Sequence, residues 1–123
     1  MNATAKGTRN ELRCAKVLAD AGFIVWKTFR SKYQDLDMFG LFDVVGLSPD
    51  RKFFVCIQVK SNRARKEDRE AIRDFVMPDN CIKLVCTWHD GAGWGVTTYG
   101  DHHPHPAEAK VVGLFICPIK EEL

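Results

Sequence analysis

No apolar run in this 123-residue chain approaches the roughly 20 residues that a membrane-crossing helix needs. Charge of one sign is also scarce in excess. Eighteen Lys and Arg stand against sixteen Asp and Glu, a net charge of +2. Overall basicity is therefore no signal, and any case for nucleic acid must rest on local clustering. The start, Met-Asn-Ala-Thr-Ala-Lys-Gly, holds no apolar signal core, so a cytosolic protein is expected. No C-x-x-C pair occurs. The five cysteines, Cys14, Cys56, Cys81, Cys86 and Cys117, are odd in number and scattered, which argues against a disulfide framework. They read as small buried residues in a reducing compartment, with Cys81 and Cys86 on opposite faces of one strand. Repeats and low-complexity segments are absent. What remains is enough chain for one domain with a real core.

That chain is organised around residues 43–60. Residues 41–46 and 53–60 are rich in β-branched and aromatic side chains, with Pro49-Asp50 between them, so a hairpin is expected. Alternation puts Phe53, Val55, Ile57 and Val59 on one face and Phe54, Cys56, Gln58 and Lys60 on the other. Asp43, on the partner strand, can face Gln58 and Lys60. A carboxylate and an ammonium near a core are costly unless they pair or bind something. An Asp43–Lys60 ion pair is one reading; a metal site with a lysine beside it is the other.

Upstream, Thr8-Arg9-Asn10-Glu11 has the form of a capping box, predicting a helix over 9–21 that ends at Gly22. Residues 23–29 predict a strand. Residues 30–40 predict a long polar loop carrying Asp35 and Asp37, and long loops are often functional. Downstream, a helix is expected over 67–77, with Ala71, Ile72, Phe75 and Val76 inward and a terminator at Pro78. Strands are expected at 81–88, 94–99 and 111–116. His102, His103 and His105 lie among prolines and read as an irregular surface loop rather than a metal site. Helices packed on one mixed sheet are the natural architecture.

Four features together resemble the PD-(D/E)-x-K nuclease superfamily, and within it the archaeal-type and phage Holliday junction resolvases. They are the Gly7-Thr8…Glu11 helix start, the Gly22-Phe23-Ile24-Val25 strand leading to Ser31, Asp43 within Phe42-Asp43-Val44-Val45, and Gln58-Val59-Lys60 followed by Ser61. Two departures stand out. Gln58 replaces the usual carboxylate, and a long loop without a proline precedes Asp43.

The resemblance implies an α/β fold with a restriction-endonuclease-like αβββαβ core, and one nuclease domain over 1–123. It implies phosphodiester hydrolysis with Mg²⁺, or Mn²⁺, held by Asp43, Gln58, the Val59 carbonyl and Glu11. Lys60 would orient the attacking water or stabilise negative charge, and Ser31 would lie near the scissile phosphate. Lys27, Arg30, Lys32, Arg63, Arg65, Lys66, Arg69 and Arg73 would track phosphates without reading bases. The partner implied is branched double-stranded DNA. Two cuts imply a homodimer, for which 94–99 and 111–116 are candidate contact segments unless they serve the core. Three other readings stay open: a restriction or repair nuclease of the same superfamily, a DNA-binding protein without catalysis, and a structural domain in which Asp43 and Lys60 simply pair.

Overall fold

The computed structural model describes residues 3–28, 37–99 and 104–116. The first helix, α1, spans Ala3–Asp20. It begins several residues earlier than a capping box at Thr8 allows. Alanines and Lys6 are strong helix formers and carry the helix through Gly7, so Thr8 and Glu11 lie inside it. Asn10, Glu11, Cys14 and Leu18 form its buried stripe. Gly22, at φ +91°, ends the helix in the left-handed conformation that a glycine takes without strain.

A five-stranded sheet follows, in the spatial order β1-β2-β3-β4-β5. The strands are β1 (Ile24–Lys27), β2 (Val44–Leu47), β3 (Phe54–Ser61), β4 (Cys81–His89) and β5 (Gly93–Thr98). β1, β2 and β3 form an antiparallel meander. β3 and β4 run parallel, joined through α2 (Lys66–Asp74), and β5 returns antiparallel to β4. The sheet is therefore mixed, as expected. β1 is shorter than its apolar run, and α2 stops before Phe75. The residue before Pro78 disfavours helix, which shortens the segment from its far end. Lys83 then closes α2, donating from Nζ to the carbonyls of Ile72, Arg73 and Phe75 at 2.7, 3.0 and 2.8 Å.

Of residues 111–116, expected as a strand, 111–115 are instead part of helix α3 (Glu108–Phe115), with Ile116 as its C-cap. Ala107, Glu108 and Ala109 favour the helix, and Val111 and Phe115 recur four apart on its inner face. The β-branched pair Val111-Val112 is overruled by that packing. Phe115 meets Trp94 of β5 edge-on at 5.7 Å. The two candidate contact segments thus pack on each other.

The sheet is covered on both faces. Phe53, Val55, Ile57 and Val59 pack with Cys14 and Leu18 of α1 and with Val111 and Phe115 of α3. Cys56, Val45, Val85 and Phe42 pack with Ile72 of α2 on the opposite side. The alternation expected for β3 is what divides these two cores. Gly46 lies where α1 crosses β2 closely: a Cβ there would sit 2.9 Å from Leu18 Cδ1. Cys14, Cys56, Cys81 and Cys86 are free thiols, the first, second and fourth buried and Cys81 half-buried. Cys117, His102 and His103 lie outside the described residues. His105 is half-buried against Phe53, with ring centroids 4.9 Å apart. No helix among the described residues is long and apolar enough to cross a membrane.

Candidate active site

The candidate site forms where the ends of β1, β2 and β3 meet the first half of α1. Register and a bulge build it. Lys27 pairs with Val44 and Val44 with Ile57. Thr28 N donates to Asp43 O at 2.7 Å, which continues the β1–β2 ladder, but Asp43 N donates to Ile57 O at 2.8 Å, one residue out of the β2–β3 register, so the backbone bulges at Asp43. The carboxylate is thereby turned to the Val59 N–H, between Gln58 and Lys60 in sequence, and those two share one face of β3.

Asp43 is almost fully buried, at 3% exposure. Its Oδ2 accepts a bond from the Val59 N–H at 2.8 Å. Burial still pushes its carboxyl up from 3.8 to about 8; the Val59 bond opposes this, while the charges of Asp37 and Glu11 and a hydrogen bond with the Asp37 carboxyl add to it. Gln58 is 9% exposed. Its Oε1 is buried and has no hydrogen-bond partner among the described residues, as is also true of Thr28 Oγ1. An orphaned buried acceptor costs roughly 1–3 kcal/mol, so Gln58 is dear to keep unless it meets a ligand.

Glu11 is not a cap. It is 1% exposed and faces Lys27, Nζ to Oε1 at 3.5 Å. Lys27 also donates to the Thr28 carbonyl at 3.0 Å, so it belongs to the site rather than to the outer surface. Lys60 is half-buried, and its ion-pair partner among the described contacts is Asp68 of α2 at 3.4 Å. That pairing replaces the simple Asp43–Lys60 pair as the structural use of the lysine. Ser31, Arg30 and Lys32 lie outside the described residues.

Several supporting residues carry no sequence motif. Asn10, fully buried, donates to Ser61 Oγ at 2.5 Å and accepts from Arg13. The Arg13 guanidinium lies 4.4 Å from the centre of the Trp88 ring, a cation–π contact. Lys6 pairs with Asp90 at 2.6 Å, and Asp90 also accepts from Asn62. These contacts hold the first half of α1 over the ends of β3 and β4, and so fix where Glu11 projects.

Asp37 was legible only as one polar residue of a loop. A tight reversal brings it to the site. Met38 and Phe42 form an isolated antiparallel bridge, and Phe39 and Gly40 both take positive φ, +56° and +71°. Residue 37 is thereby returned beside residue 43, where the two carboxyls hydrogen-bond. The glycine within Met38-Phe39-Gly40-Leu41-Phe42 was the available signal for that turn.

The other basic residues lie on the outside. Arg63, Arg65, Lys66, Arg69 and Arg73 are exposed on the loop after β3 and along one side of α2. Lys66 pairs with Glu70 at 3.8 Å and Arg73 with Asp74 at 2.8 Å. Lys66, Arg69 and Arg73 line an open groove with Thr97 of β5 and Tyr99 just beyond it.

The donors suit a hard divalent cation in kind: carboxylates and an amide oxygen, with no thiolate or imidazole. Among the described residues no three His, Cys, Asp or Glu side chains converge closely enough to hold a metal alone. The orphaned Gln58 Oε1, one residue from the Val59 N–H that binds Asp43, supplies the missing kind of ligand, so the residues fit such an ion.

No family model matches the chain, and a comparison with curated proteins finds no relative. Among solved structures, it is similar to Archaeoglobus fulgidus Hjc, a Holliday junction resolvase from an archaeal hyperthermophile. The TM-score is 0.55 and the identity 21%, over 76% of this chain and 73% of that one. With its mixed five-stranded sheet flanked by helices, this chain has the fold of the Hjc resolvase.

Proposed function

We propose that the protein is a metal-dependent endonuclease that resolves four-way or branched DNA junctions by phosphodiester hydrolysis. One observation carries the reading: on a resolvase fold, the buried Asp43 carboxylate accepts the Val59 N–H at 2.8 Å, in the middle of Gln58-Val59-Lys60. The whole chain acts as one nuclease domain. Asp43, Gln58 Oε1 and the Val59 carbonyl would hold Mg²⁺, with Glu11 contributing through water. A bound ion supplies an acidified water and offsets charge on the phosphate.

The residues of the chain do the rest. Lys60 orients the attacking water or stabilises charge developing on the phosphate, while Asp68 restrains its ammonium. Glu11 is held in place by Lys27 and by the clamp of Asn10 on Ser61. Arg63, Arg65, Lys66, Arg69 and Arg73 follow phosphates along the duplex arms, which favours shape over sequence. By resemblance, Ser31 would act at the scissile phosphate and Arg30 and Lys32 would add phosphate contacts. Two coordinated cuts require a homodimer.

The test is cleavage of a labelled four-way junction beside a linear duplex of the same sequence, in Mg²⁺, Mn²⁺ or chelator. Paired symmetric nicks on the junction, requiring metal, are expected, and Lys60→Ala should abolish them while leaving junction affinity largely intact. Equal cutting of both substrates would indicate a restriction or repair type of nuclease. Gln58 favours a second reading, a protein that binds junctions without cutting them; tight binding with no cleavage in either metal would establish it.

A further inference from the structure

Gln58 leaves the proposed cation site one negative charge short, and affinity for a hard divalent ion depends on ligand charge. The structure brings another carboxylate to the same place. The Met38–Phe42 bridge, with its two left-handed residues, returns Asp37 beside Asp43. The Asp37 and Asp43 carboxyls are in hydrogen-bond contact, and Asp37 Oδ1 is shut off from solvent. The independent pointer to a ligand is Gln58. It is 9% exposed, its Oε1 has no donor among the described residues, and it directly precedes Val59, whose N–H the Asp43 carboxylate accepts at 2.8 Å. A cation would serve all three groups.

We propose that Asp37 is the second carboxylate of the cation site, standing in for the one that Gln58 lacks, so that a hard divalent ion is held by Asp37, Asp43 and Gln58 Oε1. The ion is the one invoked for the proposed nuclease reaction, and to that extent the assignment rests on that reading. The reversal at Phe39-Gly40 then has a chemical purpose: it delivers a ligand from a loop that the strands themselves do not supply. Charge lost at residue 58 is regained at residue 37.

The experiment is Mn²⁺ binding to the full, metal-free chain, followed by calorimetry or by the loss of the free-ion paramagnetic resonance signal. Asp37→Asn should weaken Mn²⁺ binding about tenfold or more, with an unchanged circular dichroism spectrum. Gln58→Glu added to Asp37→Asn should restore most of the loss, because the charge returns from the neighbouring strand. Asp37→Glu, which keeps the charge, should bind Mn²⁺ more tightly than Asp37→Asn and guards against a folding defect. Wild-type affinity in Asp37→Asn, no rescue by Gln58→Glu, or no Mn²⁺ binding by the wild type would each overturn the proposal; the first would mean that the carboxyl pair merely shares a proton. A wild type that cuts junctions while Asp37→Asn binds Mn²⁺ normally would sink this assignment and leave the nuclease reading standing. Asp37-dependent binding without cleavage would do the reverse.

Discussion

Replacing Asp43 by asparagine should make the metal-free protein more stable at pH 8 and leave it nearly unchanged at pH 4. Burial raises the Asp43 carboxyl from 3.8 to about 8, so the folded state holds this proton more tightly than the unfolded state does. A raised carboxyl contributes stability that is fully present below about pH 4 and is lost as pH rises toward 8. Each pH unit in that window is worth about 1.4 kcal/mol. Passing from pH 5 to pH 8 should therefore cost the wild type on the order of 4 kcal/mol. Asparagine cannot ionise, and its Oδ1 can still accept the Val59 N–H that Asp43 Oδ2 takes at 2.8 Å. The assay is urea unfolding in chelator at pH 5, 6, 7 and 8 for both proteins. The two stabilities should diverge progressively with pH, in favour of Asp43→Asn. Parallel curves would refute the reasoning, since they would mean that Asp43 ionises in the fold as freely as in the unfolded chain. Adding Mg²⁺ should narrow the gap from the wild-type side, because the cation competes with the proton.

Three further outcomes are expected. Lys83→Met should lower stability by about 2 kcal/mol, since three carbonyls at the end of α2 lose a charged donor; urea unfolding measures the loss, and hydrogen exchange should place it at that helix end. Changing Arg63, Arg65 and Arg69 together to glutamine should flatten the salt dependence of junction binding, by about 0.9 in log–log slope for each phosphate contact removed; an unchanged slope would show that DNA passes elsewhere. Gly46→Ala should cost about 1–3 kcal/mol by overpacking, because its Cβ would meet Leu18 at 2.9 Å and Phe23 at 3.2 Å; thermal unfolding reads it, with junction affinity unaffected.

Most of the sheet was legible because its strands obey the two-residue period. The division of β3 into an α1-facing and an α2-facing side follows from alternation alone. The helix starts and ends were less so. Thr8 and Glu11 have the spacing of a cap, but helix propensity continues upstream and tertiary contacts claim Glu11 for Lys27. Residues 111–116 look like a strand by composition. Only the packing of Val111 and Phe115 over β5, a long-range fact, makes them a helix. In the site, Asp43, Gln58 and Glu11 could be named because strand or helix position limits where they point. Asp37 could not, since its place depends on a reversal at Phe39-Gly40 whose outcome is invisible to periodicity. Lys83 and Asp68 were hidden for a related reason: each meets its partner across α2, whose docking no local pattern encodes.

The meander of β1, β2 and β3 also bears on the order in which the molecule assembles. Short loop closures cost less entropy than long ones and form sooner. Thr28, Asp43 and Gln58 sit on three strands joined by antiparallel pairings that are local in sequence. The parallel pairing of β3 with β4 must wait for the chain to travel through α2 and return. Asp43 and Gln58 can thus meet while half the sheet is still unformed and water still reaches them. The carboxylate is sealed away only when the remaining elements, α1 with Glu11 among them, are in place, so the cost of burying it falls on the later, cooperative stage of folding rather than on the first.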